Sequence, residues 1–234
     1  MSEFKYAGSE LDLFAAVWNW KAYWSGQIRP FLAGDILEVG AGIGSNTRLL
    51  DRGFAGRFVC LEPDPELNRQ LVKNLREAKP GRAYETPCGT LASLAGQQFD
   101  TILYIDVLEH IENDREELNL AASHLRSGGR LIVLSPAHQL LFSPFDAAIG
   151  HFRRYSRSML RSISPDGLRL ERIRYLDCAG MILSAANMLL LRQSLPTKSQ
   201  LRFWDHWIIP VSRVFDKLFL YSAGKTIIAV WRRP

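Results

Sequence analysis

Only three cysteines occur among the 234 residues, Cys60, Cys88 and Cys178, and no two stand in C-x-x-C spacing. An odd, dispersed set supports neither a disulfide framework nor a cysteine zinc site and fits a reducing compartment, so a cytoplasmic location is expected. The opening residues, Met1-Ser2-Glu3-Phe4-Lys5, lack a basic stretch followed by an apolar one, so no secretory signal is expected. Long hydrophobic runs are also lacking. The longest uncharged stretch of the apolar C-terminal third, Cys178 to Leu191, has 14 residues, whereas a bilayer span needs about 20. A transmembrane helix is not expected. The stretch reads as a buried helix or one lying at a membrane surface, which leaves peripheral membrane contact open. Glycine (17) and proline (11) are ordinary beside 47% hydrophobic and 23% charged residues, which excludes collagen-like and largely disordered chains.

The net charge of +5 is local. Between positions 151 and 175, Arg153, Arg154, Arg157, Arg161, Arg169, Arg172 and Arg174 face only Asp166 and Glu171, so this stretch carries the whole excess. A charge confined in this way is a weak argument for nucleic acid. Short apolar runs at Asp35 to Val39, Arg57 to Leu61, Phe99 to Ile105 and Leu131 to Leu134 read as buried strands. Between them, Asp64-Pro65 marks a helix start, with Leu67, Leu71 and Leu75 at helical spacing. Asn113 and Glu116 suggest a capping box before Leu118, Ala121, Ala122 and Leu125, and Ser127-Gly128-Gly129 is expected to end that second helix. This alternation implies a parallel sheet covered by helices on both faces. Residues 9 to 32 form an expected aromatic-rich helix, and Leu168 to Leu176 and Thr226 to Trp231 read as further strands. The roughly 50 residues between those strands are too long and apolar for a plain loop, so they are expected to be a helical cap.

The most informative stretch is Ile36-Leu37-Glu38-Val39-Gly40-Ala41-Gly42-Ile43-Gly44-Ser45-Asn46, a buried strand entering a glycine turn and a helix. Glycines allow close approach of a ligand, and in doubly wound sheets ligands lie beyond the carboxyl ends of the strands. The third glycine, Gly44, comes one position too early for a dinucleotide fingerprint. Glu38, two residues before the first glycine, would repel a pyrophosphate but can pair with an ammonium group. Glu62, 18 residues beyond Gly44, can accept hydrogen bonds from a ribose diol. A cationic ligand with a ribose, an amino-acid end and no pyrophosphate is indicated.

Glu38-x-Gly40-x-Gly42-x-Gly44 with Glu62, then Gly89-Thr90-Leu91 and Asp106-Val107-Leu108-Glu109-His110-Ile111, resembles the motif series of the class I S-adenosylmethionine (SAM)-dependent methyltransferases over roughly residues 30 to 135. The stretch from Ser143-Pro144-Phe145-Asp146 to Gly150-His151-Phe152-Arg153-Arg154-Tyr155 resembles a bacterial subgroup associated with glycan or secondary-metabolite pathways. The resemblance implies an α/β, doubly wound, Rossmann-like, mostly parallel seven-stranded sheet with a helical N-terminal lid and a C-terminal cap insertion. As a single domain this gives a lid over 1–33, a core over 34–176 and 223–234, and a cap over 177–222. It implies SAM as cofactor, held by Glu38, Gly40, Ala41, Gly42, Gly44, Glu62, Pro63, Thr90, Leu91, Asp106 and Val107. His110, His151 and Tyr155 are the expected catalytic residues. Tyr6, Trp18, Tyr23, His138, Arg154 and Tyr175 are expected around the acceptor or in the cap.

A sulfonium is already a good electrophile, so the enzyme must chiefly hold a nucleophile in line with the methyl carbon and exclude water. Trp18, Trp20, Tyr23 or Tyr6 could face the sulfonium through their rings, or could simply be core. The acceptor is expected to be a small molecule, glycan or lipid-linked compound. Base-methylating relatives usually carry an Asn/Asp-Pro-Pro-aromatic run where Asp106-Val107-Leu108-Glu109 stands, so a nucleic acid is not expected. Gly224-Lys225-Thr226 imitates the end of a phosphate loop, but Phe219 stands where its first glycine belongs. Asp106, Glu109, His110, Glu112 and Asp114 crowd one segment, yet H-E-x-x-H is missing and helix starts attract acids, so no metal is expected. Two alternatives remain: attack by the cofactor's own amine on its side chain, a cyclase or lyase reaction releasing methylthioadenosine, and a non-catalytic SAM-binding module. The oligomeric state is not legible.

Overall fold

A computed structural model describes residues 17–51, 56–186 and 197–234. The apolar runs are strands: β1 (Ile36–Val39), β2 (Phe58–Leu61) and β3 (Phe99–Ile105), followed by β4 (Leu125–Pro136). After the basic stretch come β5 (Arg169–Leu176) and the C-terminal β6 (Thr226–Arg232). The sheet order is β2-β1-β3-β4-β6-β5, with β1 to β4 mutually parallel and β6 antiparallel to both neighbours.

Among the described residues the sheet has six strands rather than the expected seven. Residues 85–88 lie beside β2 where a further edge strand would sit, but they make only isolated parallel bridges, Val59 to Glu85 and Glu62 to Cys88. Pro87 interrupts them and has no N–H to continue a ladder.

The helix α1 (Trp18–Ile28) precedes β1, and the short α2 (Thr47–Leu50) follows the glycine turn. In α3 (Pro65–Ala78), Asp64 caps the start as expected, accepting from the N–H groups of Glu66 and Leu67 at 2.8 and 3.0 Å. The helix α4 (Asp114–Ser123) departs from expectation: Asn113 makes no side-chain cap bond, so there is no capping box. Nor do Ser127-Gly128-Gly129 end it. They lie inside β4, where Gly128 has φ 79° and the pairing with β3 shifts register between Phe99 and Thr101. Two short helices follow β4, α5 (Pro144–Ala148) and α6 (Arg157–Ser162).

Between β5 and β6 the chain is helical where described: α7 (Cys178–Ala186), α8 (Lys198–Phe203), a π turn (Trp204–Ile208) and α9 (Ile209–Leu218). Residues 187–191, which end the uncharged run, lie outside the described residues. One side of the sheet buries Trp20, Tyr23, Trp24 and Ile28 of α1 with Leu71, Leu75, Trp204 and Ile209 against Leu103, Ile132 and Ile228. The other side packs Leu118, Tyr155 and Leu160 against Leu37, Tyr104, Val133 and Trp231. Thus α1 packs as part of a layer against the sheet.

Two buried aspartates, Asp205 and Asp216, tie α1 to the chain after β5, and a third, Asp177, braces that chain. Asp205 accepts from the N–H groups of Asn19 and Trp20 at 3.2 and 2.8 Å, capping α1 from outside. Asp216 accepts from the Tyr23 hydroxyl at 2.7 Å and from the N–H groups of Asp177 and Cys178 at 2.7 and 2.9 Å. Asp177 in turn accepts from Trp204 Nε1 at 2.8 Å and Ser212 Oγ at 2.5 Å. Buried polar groups matched in this way fix one arrangement of the two segments.

Candidate active site

The carboxyl ends of β2, β1 and β3 lie side by side, and β1 leads to β2 on one side while β3 lies on the other, which makes the crevice between them the topological switch point. The expected cofactor residues gather there. Gly40, Gly42 and Gly44 have φ of 67°, 55° and 80°, a region that side chains with a Cβ avoid. Neighbouring side chains explain the tightness: a Cβ on Gly40 would stand 2.6 Å from Val107 Cγ2 in the loop after β3, and one on Gly44 2.7 Å from Leu71 Cδ1 of the Asp64-capped helix.

Glu62 does more than was expected of it. Its Oε2 accepts from the Gly42 N–H at 2.8 Å and its Oε1 from the Asp64 N–H at 2.9 Å. Burial raises its pKa against those two bonds. Each oxygen keeps a lone pair for a ribose hydroxyl. The carboxylate also stands where a phosphate oxygen would have to meet the turn, so this turn is not a phosphate cradle.

Glu38, in the middle of buried β1, accepts from the Thr47 hydroxyl at 2.5 Å. Burial pushes its carboxyl up to about 7, opposed by the Thr47 bond and the charge of Lys21. Lys21 was not anticipated. It projects from α1, is only 6% exposed, and donates to Ser45 Oγ at 2.9 Å. Burial lowers its pKa to about 8, while the charges of Glu38 and Asp106 pull the other way. A lone lysine in an aromatic helix carried no signal in the sequence. Asp106 has φ 54° at the end of β3, and its N–H donates to the Leu134 carbonyl at 2.8 Å. Pro63 follows Glu62, Leu91 is buried beneath the turn after the bridged segment, Thr90 is exposed, and Ala41 donates to Leu61 at 3.0 Å.

The expected catalytic residues separate. Tyr155 is 1% exposed and donates to Asp114 Oδ2 at 2.8 Å and to the Leu108 carbonyl at 3.2 Å. Burial and that carboxylate raise its pKa well above the ordinary phenol range, and its two bonds engage it as a pin between Asp114 and Leu108. His110 and His151 do meet, with ring centroids 4.5 Å apart and edge to face. Burial lowers His110 to about 4, helped by His151. His151 Nδ1 bonds Asp146 Oδ1 at 2.9 Å, and Arg154 grips the same carboxylate through Nε and Nη2, each at 2.8 Å. Burial opposes ionisation of Asp146, but these bonds hold its pKa below the ordinary range. Arg154 is therefore engaged in structure rather than aimed at an acceptor.

His138 has φ 65° and stacks on Tyr175 with centroids 4.6 Å apart; its Nε2 is buried without a hydrogen bond. The Tyr175 hydroxyl accepts from the Arg157 N–H at 3.0 Å. Tyr23 is core, held by Asp216, and Trp18 is 60% exposed. Tyr6 lies outside the described residues. A surface cavity of about 370 Å³ lined by Gln139, Phe152, Arg153 and Tyr155, among others, opens beside this segment and includes no glycine-turn residue.

Comparison with known proteins bears on the same region. A family described as a methyltransferase domain matches residues 37–131. A ubiquinone biosynthesis O-methyltransferase of Parvibaculum lavamentivorans is 31% identical over 110 residues, 45% of this chain and 42% of the relative. The chain thus spans less than half the length of that curated relative. Among solved structures, a geranyl diphosphate methyltransferase in complex with SAM superposes with a TM-score of 0.66 at 13% identity, over 97% of this chain and 91% of that one. The cyclase SpnF superposes with a TM-score of 0.62 at 14% identity, over 91% and 80%. Residues 37–131 therefore match a methyltransferase domain, and the fold is that of the α/β, Rossmann-like class I SAM-dependent methyltransferases.

Proposed function

We propose that the chain binds SAM at the glycine turn and transfers its methyl group to a small-molecule, glycan or lipid-linked acceptor. The observation that carries this is the Glu62 carboxylate bonded to the Gly42 N–H, which bars a pyrophosphate and leaves acceptors for a ribose. The rest of the crevice fits the same ligand: Glu38 and Lys21 supply a buried anion and cation beside the turn, complementary to the ammonium and carboxylate of an amino-acid end. SAM supplies an electrophilic methyl group. The protein holds the adenosyl amino acid, orients the acceptor and excludes water. His110 and His151, beyond β3, are the polar groups assigned to the acceptor.

In this reading the chain is one domain acting in a reducing compartment, where exposed Cys88 stays a thiol, and nucleic acid is not the acceptor. No described helix is long and apolar enough to cross a membrane. Trp207, Val211, Val214 and Leu218 are exposed along the π turn and α9, with Arg202 and Lys217 also exposed nearby. That pattern of apolar face and cationic flank supports peripheral contact with a lipid surface.

Calorimetry with SAM and with a nicotinamide dinucleotide tests the binding half; heat only with the dinucleotide defeats it. Product analysis tests the chemistry. S-adenosylhomocysteine formed only with acceptor supports methyl transfer. Methylthioadenosine formed from SAM alone would instead favour the intramolecular reaction, and binding without turnover a non-catalytic module.

A further inference from the structure

Glu109 is fully buried, and only one of its carboxylate oxygens is satisfied: Oε2 accepts from Ser135 Oγ at 2.9 Å, while Oε1 has no hydrogen-bond partner. That oxygen faces His151 Nε2 at 3.9 Å. The other nitrogen of the same ring bonds Asp146, a carboxylate already committed to Arg154, so Nδ1 carries the proton and Nε2 presents a lone pair. Oε1 and Nε2 thus face each other at a separation too long for a hydrogen bond. His110 stands edge to face with His151. One donor atom each from Glu109, His110 and His151 lies within 4.8 Å of the others.

Two ligands of one tetrahedral ion, each at about 2.1 Å, stand about 3.4 Å apart. The 3.9 Å separation approaches this, leaving a small side-chain adjustment. The backbone sets the geometry independently of any ion: the Phe152 N–H donates to the Glu109 carbonyl at 2.8 Å, and the His151 N–H to the Asp146 carbonyl at 2.9 Å. Asp146 behind His151 is the usual outer partner of a metal-ligating imidazole, fixing its tautomer and orientation.

We propose that Glu109, His110 and His151 bind one divalent first-row transition ion of the zinc class, with Asp146 as the orienting partner of His151. Two imidazoles and one carboxylate suit zinc or its neighbours better than magnesium or calcium, which prefer all-oxygen shells. Three protein ligands leave a fourth position for water or an acceptor hydroxyl, whose proton the ion would make easier to release to solvent. The spacing is not that of H-E-x-x-H because the third ligand arrives from a loop some 40 positions on, which explains why the sequence argued against a metal.

The test uses the full chain, produced without a histidine tag and stripped with a chelator, titrated by calorimetry with Zn2+ alone and by visible absorption with Co2+ alone. One equivalent should bind, with cobalt d–d bands and no thiolate charge-transfer band, which sets the site apart from the exposed Cys88 thiol. His110→Ala and His151→Ala should weaken binding at least about 100-fold, and Asp146→Asn by about 10- to 100-fold. Glu109→Gln keeps the shape and should weaken binding likewise. Thermal melts without metal establish that each variant is folded. Absence of stoichiometric binding, or equal binding by the His110→Ala/His151→Ala double variant, overturns the proposal. The titrations contain no SAM, and SAM affinity is measured separately on the same preparations, so either reading can fail alone.

Discussion

Replacing Lys21 with Met should stabilise the free protein at high neutral pH and weaken its ligand at the same time. The ammonium is held at about 8 instead of 10.5 because burial strips its water. A lysine whose folded pKa is depressed lowers stability while it is charged, and the loss is relieved as pH rises from the folded to the unfolded value. The window is therefore pH 8 to 10.5, and the separation corresponds to about 3 kcal/mol. Met keeps the aliphatic stem and removes the titration. Urea unfolding of parent and variant across this window isolates the effect, since thiols and tyrosines titrate in both proteins and cancel in the difference. Working above pH 8 also avoids Glu38, whose carboxyl is held at about 7 and would lose its neighbouring cation. The parent should gain about 3 kcal/mol on the variant between pH 8 and 10.5. In the second arm, at pH 7.5, loss of a charge-assisted contact to the ligand's carboxylate should weaken SAM by about 10- to 100-fold. Parallel unfolding curves would refute the electrostatic argument, and unchanged SAM affinity would reduce Lys21 to packing.

Gly44→Val forces a Cβ into Leu71 at φ 80°; strain and overpacking together should cost about 2–5 kcal/mol, read as a lowered urea midpoint, with SAM binding lost from the folded fraction. Asp216→Ala leaves the Tyr23 hydroxyl and two backbone N–H groups buried without their acceptor, and should destabilise by about 3–5 kcal/mol in the same assay. Tyr155→Phe removes only the bonds to Asp114 and Leu108. It should lower stability by about 1–2 kcal/mol yet leave turnover within a few-fold of the parent, whereas a loss of turnover of 100-fold or more would restore Tyr155 as a base.

What the sequence disclosed was local. The continuous apolar runs located β1 to β3 almost to the residue, and Asp64-Pro65 located the start of α3, because strand burial and helix capping are decided within a few positions. The positions of the glycine turn and Glu62 were legible for the same reason, each following directly from its strand. The failures needed knowledge of partners. Ser127-Gly128-Gly129 looks like a helix end but bends a strand, and Pro87 breaks a ladder that only its neighbour β2 defines. Tyr155 stands in a segment rich in reactive side chains, and its role as a pin depends on Asp114, 41 positions away. Lys21 meets Ser45 only because α1 folds back over the turn.

That folding back has a consequence for how the glycine turn keeps its cation. Lys21 lies on the helix that Asp205 and Asp216 fasten at two points, from positions 185 and 193 residues downstream. The chain after β5 thus works as a clasp on α1: replacing Asp205 and Asp216 together by alanine loosens the helix, lets the ammonium withdraw from the turn, and should lower affinity for the proposed ligand without altering one residue in its crevice.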